Sequence, residues 1–216
     1  MAPDRARAAR TEVQALRRAD PVLAAVIEEV QRRSGGLGDP RAGRPNDHYG
    51  ALLRSIVGQQ LSTKAARAIY ARLTDRYGGR APTPEEVLAD DPLELQAAAG
   101  LSRAKVGYLR SLAEHVMEGS LELAHLNDLP DEEVIAELVA VKGLGAWSAH
   151  MFLMFHLRRP DVLAVGDLGI RRAVMVHYGL PQLPTPAELE QIGAPWRPHR
   201  TLACMYLWRS LDATPT

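Results

Sequence analysis

Scarcity marks this chain of 216 residues. It has a single cysteine, Cys204, so it can form no internal disulfide and hold no four-cysteine iron–sulfur cluster. A lone thiol in an apolar helical stretch reads as a buried side chain, and its isolation fits a reducing, cytoplasmic setting. Lysine is nearly missing: Lys64, Lys105 and Lys142 are the only ones. Formal net charge is +0, so the chain lacks the overall basic surplus of a general nucleic-acid binder. No apolar run approaches the roughly 20 residues needed to cross a bilayer, so no membrane partner is expected. The segment Met1 to Arg18 is rich in Arg and Ala but has no apolar core, so it does not read as a secretory signal; its Arg–Ala alternation could mimic a transit peptide, but Glu12 and the helical run after it favour a solvated helix. His150, His156 and His199 have no metal-ligand spacing with cysteine or carboxylate neighbours and read as polar or phosphate-facing, so no metal site is expected. Aromatic residues make up only 5%, so each one carries weight.

What remains is ordinary for a globular protein, with 46% hydrophobic and 24% charged residues. The pattern is helical almost throughout. Asp20-Pro21 reads as an N-cap and first position ahead of Val22, Leu23, Val26, Ile27 and Val30 at helical spacing. A loop is expected at 34–40. Tyr49 to Val57 forms an apolar helix, and Ser62 caps the next, which runs to Tyr77. Thr83-Pro84-Glu85-Glu86 and Thr185-Pro186-Ala187-Glu188 are capping-box starts. Asp91-Pro92 opens a helix that stops at Gly100. Helices follow over Leu101 to Met117, Asp131 to Ala140 and Ala146 to Leu157, and Arg197-Pro198 opens the last. No alternating strand pattern of useful length occurs. The expectation is an all-α protein of about ten short helices.

The run Val141-Lys142-Gly143-Leu144-Gly145-Ala146-Trp147-Ser148-Ala149, followed by Val165-Gly166-Asp167, carries the chemistry. Gly143 and Gly145 can take backbone angles closed to other residues and admit another backbone closely. The turn feeds a helix N-terminus, where unpaired N–H groups and the dipole favour an anion. Such a turn is a phosphate clasp that needs no particular side chain. Charge is locally favourable: Lys142, Arg158, Arg159, Arg171 and Arg172 outnumber Asp161 and Asp167. An ordinary helix C-cap with an N-cap Asp, and a solvated face for the charges, would explain the same pieces singly.

As a constellation, the stretch resembles the helix-hairpin-helix plus Gly/Pro-Asp motif of a DNA base-excision glycosylase superfamily. That hairpin reads (L/V)-(P/K)-G-(I/L/V)-G-x-x-(T/S)-A with an Asp after its second helix. The chain matches at Val141, Lys142, Gly143, Leu144, Gly145, Ser148, Ala149 and Asp167. Three more segments resemble the alkylated-base branch, the 3-methyladenine DNA glycosylase II type, in compact form. These are Ile56-Val57-Gly58-Gln59-Gln60-Leu61-Ser62, Gly100-Leu101-Ser102-Arg103-Ala104-Lys105, and Trp196-Arg197-Pro198-His199-Arg200-Thr201-Leu202-Ala203 running on to Tyr206-Leu207-Trp208.

The resemblance implies one glycosylase unit over 1–216, made of two helical lobes around a DNA-binding cleft. One lobe would comprise about 1–45 with 180–216. The other would comprise about 46–179, with the hairpin at 138–150. It implies a monomer acting on double-stranded DNA that carries alkylated bases, with Asp167 as the catalytic carboxylate. Lys142, Gly143, Leu144 and Gly145 would bind DNA, and the hairpin carbonyls could share a monovalent cation with a phosphate. Gln60 and Leu61 would fill the gap left by an extruded base, although Leu61 fits a hydrophobic staple equally well. Trp147 and Trp208 match aromatic positions of the base pocket, where a cationic alkylated base would bind by cation–π attraction; core packing explains them as readily. Met151 stands where other members have a second aromatic, a departure that alters the pocket's shape. Bifunctional members carry a Schiff-base lysine where this chain has Trp147, which implies a monofunctional enzyme. Two alternatives stay open: a glycosylase for oxidised or mismatched bases, and a non-catalytic hairpin module that binds DNA.

Overall fold

A computed structural model describes residues 3–37 and 45–211. Twelve α-helices and no strand occur among them. The chain divides into two compact units, Met1–Ala42 with Arg158–Thr216, and Gly43–Leu157. The second boundary therefore falls at 157/158, not at the expected 179/180. The reason is packing: the helix that begins after Asp167 lies against the C-terminal helix and belongs with it. Residues 38–40 of the expected loop lie outside the described residues.

The first unit contains α1 (Pro3–Ala19), α2 (Pro21–Ser34), α10 (Leu168–His177), α11 (Pro186–Gly193) and α12 (Arg200–Leu211). Asp20 joins its two chain segments. One carboxylate oxygen caps α2 through Val22 N and Leu23 N, and the other accepts from Trp196 Nε1 at 2.8 Å and from the Tyr178 hydroxyl. Leu23, Ile27, Ile170, Val174, Trp196, Ala203 and Leu207 bury apolar surface around this link. Arg197-Pro198 does not open α12: Arg197 ends a 3₁₀ turn over Ala194–Trp196, and the helix begins at Arg200.

The second unit contains α3 (His48–Gly58), α4 (Thr63–Arg76), α5 (Pro84–Ala89), α6 (Pro92–Ala99), α7 (Arg103–Met117), α8 (Asp131–Ala140) and α9 (Ala146–Phe152). Its caps are largely those the sequence announces. Asp91 accepts from Leu93 N and Glu94 N, Gly100 closes α6 in the left-handed region, and Thr83 and Glu86 form a capping box. Ser102 caps α7, so that helix starts two residues after the expected Leu101. Leu52, Leu53, Ile56, Val57, Leu109, Leu112, Val134 and Leu138 form the interior. The expected single helix from Ala146 to Leu157 ends instead in a π-helical stretch, Leu153–Leu157. There the His156 ring meets His48 Nδ1 at 2.6 Å and stacks on Phe152.

Candidate functional site

Asp167 caps α10. Its backbone is extended (φ −74°, ψ 121°), and Oδ1 accepts from Ile170 N at 2.8 Å. The same oxygen accepts from Trp208 Nε1, also at 2.8 Å. The residue is 8% exposed. The carboxylate is therefore held in orientation by two N–H donors aimed at one oxygen, one of them from the first turn of α10. Trp208 thus has a role beyond the aromatic face expected of it: its N–H orients the carboxylate. Gly169 makes room for this contact. A Cβ there would lie 3.0 Å from Asp167 Oδ1 and 3.1 Å from Trp208 Cδ1.

The loop leading to Asp167 is gripped by the first turn of α12. Arg200 Nε donates to Asp161 Oδ1 at 2.8 Å and Arg200 Nη2 to the Asp161 carbonyl at 2.6 Å. Thr201 Oγ1 donates to Arg159 O and accepts from Val162 N, while Thr201 N donates to Pro160 O. Arg200 and Thr201, quoted above only as part of a matched segment, therefore anchor the strap behind Asp167. Arg171, counted above among DNA-facing charges, donates Nε to Pro184 O at 2.8 Å and so braces the loop before α11. Cys204 is buried in this unit, and burial pushes its thiol up to about 12, so it is inert as a nucleophile near neutral pH.

In the second unit the hairpin joins α8 to α9. Its two glycines behave differently. Gly143 has φ +96°, and a Cβ there would stand 2.2 Å from Tyr108 Cγ, so only glycine fits. Gly145 is extended (φ −106°, ψ 176°) with open space where a Cβ would go. The expectation of unusual angles at both positions is corrected: Gly145 serves by presenting nothing, not by an unusual angle. Gly145 caps α9 without any side-chain acceptor. Leu144 is buried and its N–H bonds Val141 O, so this residue roots the hairpin from within, while Lys142 is exposed. The carbonyls of Val141, Gly143 and Gly145 each accept one hydrogen bond. Each carbonyl oxygen has a second lone pair, the donor type a monovalent cation takes.

Trp147 and Met151 stand four residues apart on α9 and so share a side of it. Trp147 is 44% exposed, which is not the burial of a core tryptophan. Leu61 is 37% exposed at the tip of the turn after α3, and Gln60 beside it holds φ +57°. The core alternative for Leu61 is thereby corrected, since its side chain is not enclosed. Gln59 and Lys105, to which no site role was given above, support this turn. Gln59 Nε2 donates to Gly143 O at 2.7 Å, and Lys105 Nζ donates to Val57 O and Gln59 O. Among the described residues no cluster of three or more His, Cys, Asp or Glu could hold a metal ion, and no helix is long and apolar enough to cross a membrane.

A hairpin with an open N-terminal turn, followed by a carboxylate pinned at the next helix, defines a class of DNA-repair proteins. Residues 53–198 match the HhH-GPD superfamily of base excision DNA repair proteins, and the chain belongs to it. It is similar to DNA-3-methyladenine glycosylase 1 of Schizosaccharomyces pombe, 34% identical over 203 residues that cover 92% of this chain and 89% of the relative. A solved S. pombe 3-methyladenine DNA glycosylase in complex with abasic DNA superposes with a TM-score of 0.78 at 32% identity, covering 92% of this chain and 95% of that one. A DNA-3-methyladenine glycosidase from Bacillus halodurans superposes with a TM-score of 0.75 at 36% identity, covering 94% and 89%. DNA-3-methyladenine glycosylase 2 of Escherichia coli is 28% identical over 191 residues, 81% of this chain and 64% of that protein.

Proposed function

We propose that this chain is a monofunctional DNA glycosylase that hydrolyses the N-glycosidic bond of alkylated, 3-methyladenine-type bases in double-stranded DNA. The observation that carries the reading is the Asp167 carboxylate, buried at the head of α10 and bonded by Trp208 Nε1. Cleavage of the glycosidic bond builds positive charge on the deoxyribose, and a preorganised carboxylate in a site that excludes water stabilises it. The same carboxylate orients the attacking water. An alkylated base is already cationic, so it leaves without strong acid catalysis and is drawn to aromatic faces. Trp147 and the ring of Trp208 offer such faces, and the flexible thioether of Met151 adapts to different base outlines. The names of the relatives support this substrate class.

DNA is held through its backbone at the hairpin, where a monovalent cation on the carbonyls would share a phosphate. No iron–sulfur cluster or catalytic metal is required. The protein acts as a monomer, and its product is an abasic site in an intact strand, because Trp147 occupies the position of the Schiff-base lysine. The test is base release from methylated DNA by the purified protein in the presence of a chelator, read by chromatography. Release of 3-methyladenine supports the reading. Release confined to oxidised or mismatched bases would replace it with the other enzyme class, and duplex binding with no release would leave a hairpin binding module.

A further inference from the structure

Helix α7 supports two surface features at once. Lys105 Nζ donates to Val57 O at 2.7 Å and to Gln59 O at 2.9 Å, so its ammonium holds the end of α3 and the residue that follows. Helix C-termini leave carbonyls unpaired and carry the negative dipole end, so a cation there satisfies both. One turn further along α7, the Tyr108 ring lies directly on Gly143 of the hairpin. Gln59 closes the triangle through its amide, which donates to Gly143 O and to Ser148 Oγ at 3.4 Å. The turn between these anchors keeps Gln60 in the left-handed region at φ +57°, a conformation that is strained for a non-glycine residue and persists only where the surroundings over-determine it. That turn ends in an exposed Leu61.

We propose that Lys105 is a positioning residue for base extrusion: by clamping the Val57 and Gln59 carbonyls it holds the Gln60–Leu61 turn in the strained shape that fills the DNA stack, at a fixed distance from the hairpin. The proposal rests on the glycosylase reading above. It assigns Lys105 neither a phosphate nor a reacting atom. Extrusion leaves a gap that must be filled to offset the lost stacking and pairing. A turn that must first be ordered fills it less well than one already set, because ordering then opposes binding at that step.

The test compares Lys105→Met, Lys105→Arg, Leu61→Ala and the Leu61→Ala/Lys105→Met double variant. Amide hydrogen exchange over residues 58–62 of the free protein reports on the clamp alone. A 2-aminopurine probe beside the lesion reports extrusion, single-turnover assays report base release, and titration with undamaged duplex reports backbone binding. Lys105→Met should speed exchange in the turn and lower extrusion and release by roughly tenfold or more, the weight of hydrogen bonds to a charged donor. Affinity for undamaged duplex should hold, and Lys105→Arg should recover most of the loss. The double variant should be no worse than Leu61→Ala, since both act through one turn. Additive losses, unchanged exchange, or an undamaged-duplex salt slope lowered by about one unit, as for a phosphate-contacting lysine, would overturn the proposal. Should Lys105→Met not fold, Lys105→Gln, a shorter neutral donor, carries the same readouts. A wild-type protein that releases no base ends the glycosylase reading, whereas the exchange measurement judges the clamp independently.

Discussion

The indole N–H of Trp208 and the amide N–H of Ile170 converge on one oxygen of Asp167, each at 2.8 Å. The first belongs to the C-terminal helix and the second to the helix that Asp167 itself caps. The carboxylate is thereby held in orientation by two elements that pack on each other, and Gly169 supplies the space between them. Asp167 caps its helix, and the electrostatic role proposed for it asks for the same fixed carboxylate, so the two roles do not conflict.

Asp167→Asn should slow base release severely while leaving the fold and duplex binding intact. Asparagine caps a helix about as well as aspartate and keeps an oxygen for both donors, so only the charge is lost. Charge stabilisation acts on the transition state, whereas affinity rests on phosphate contacts. Single-turnover release should fall by about 10²-fold or more. Near-wild-type release would reduce Asp167 to a cap.

Trp208→Phe keeps a ring and removes the donor, so it separates the indole's face from its N–H. Release should slow by about 10- to 100-fold, the range for a hydrogen bond to a charged group, with undamaged-duplex affinity unchanged. Gly169→Ala should act in the same direction for a steric reason, because its methyl would sit 3.0 Å from Asp167 Oδ1 and 3.2 Å from Trp208 Nε1. Alanine favours the helix by about 1 kcal/mol over glycine, so a slower enzyme would not be explained by a weaker α10. Full activity in both variants would show that the Trp208 contact does not matter to the chemistry.

Local chemistry explains which features were legible in the sequence. Caps such as Asp20, Ser62, Thr83 and Thr185 act within a few residues, so their side chains announce helix starts directly. The hairpin and Asp167 are legible for the same reason, since glycine spacing and an N-cap are local signals. The unit boundary at 157/158 is not legible, because it depends on α10 packing against α12, some thirty residues away in sequence. Nor is the Trp208–Asp167 bond, where residues 41 apart meet and only an aromatic in a matched segment hints at it. Lys105 hid for another reason: a lysine near a helix start reads as a solvated charge, whereas here burial pushes its amine below the usual lysine range. The scarcity of lysine was the signal that could have drawn attention to it.

Borohydride should trap no covalent protein–DNA adduct during reaction with lesion-containing duplex. The lysines are Lys64, Lys105 and Lys142, and Lys105 Nζ is committed to two carbonyls. A Schiff base needs an unprotonated amine at the sugar carbon, and the matching position holds Trp147. Strands should remain intact until heated in alkali. Efficient trapping at any lysine would make the enzyme bifunctional.

Gly143 and Gly145 should separate stability from DNA binding. Gly143→Ala places a methyl 2.2 Å from Tyr108 Cγ at a φ of +96°, and the root of a ring cannot swing aside. Left-handed strain and overpacking together should cost about 2–5 kcal/mol, visible in urea unfolding. A Cβ at Gly145 meets nothing within 4 Å, and Gly145→Val sits in extended backbone that a β-branched residue adopts readily. Its stability cost should be no more than about 1 kcal/mol, from the weaker N-cap. If the hairpin takes a phosphate through backbone N–H groups, the valine stands where the phosphate must approach. Affinity should then fall equally for damaged and undamaged duplex. If Gly145→Val instead kept its affinity for undamaged DNA and lost discrimination, the hairpin would be reading the lesion, and the backbone-clasp argument would fail.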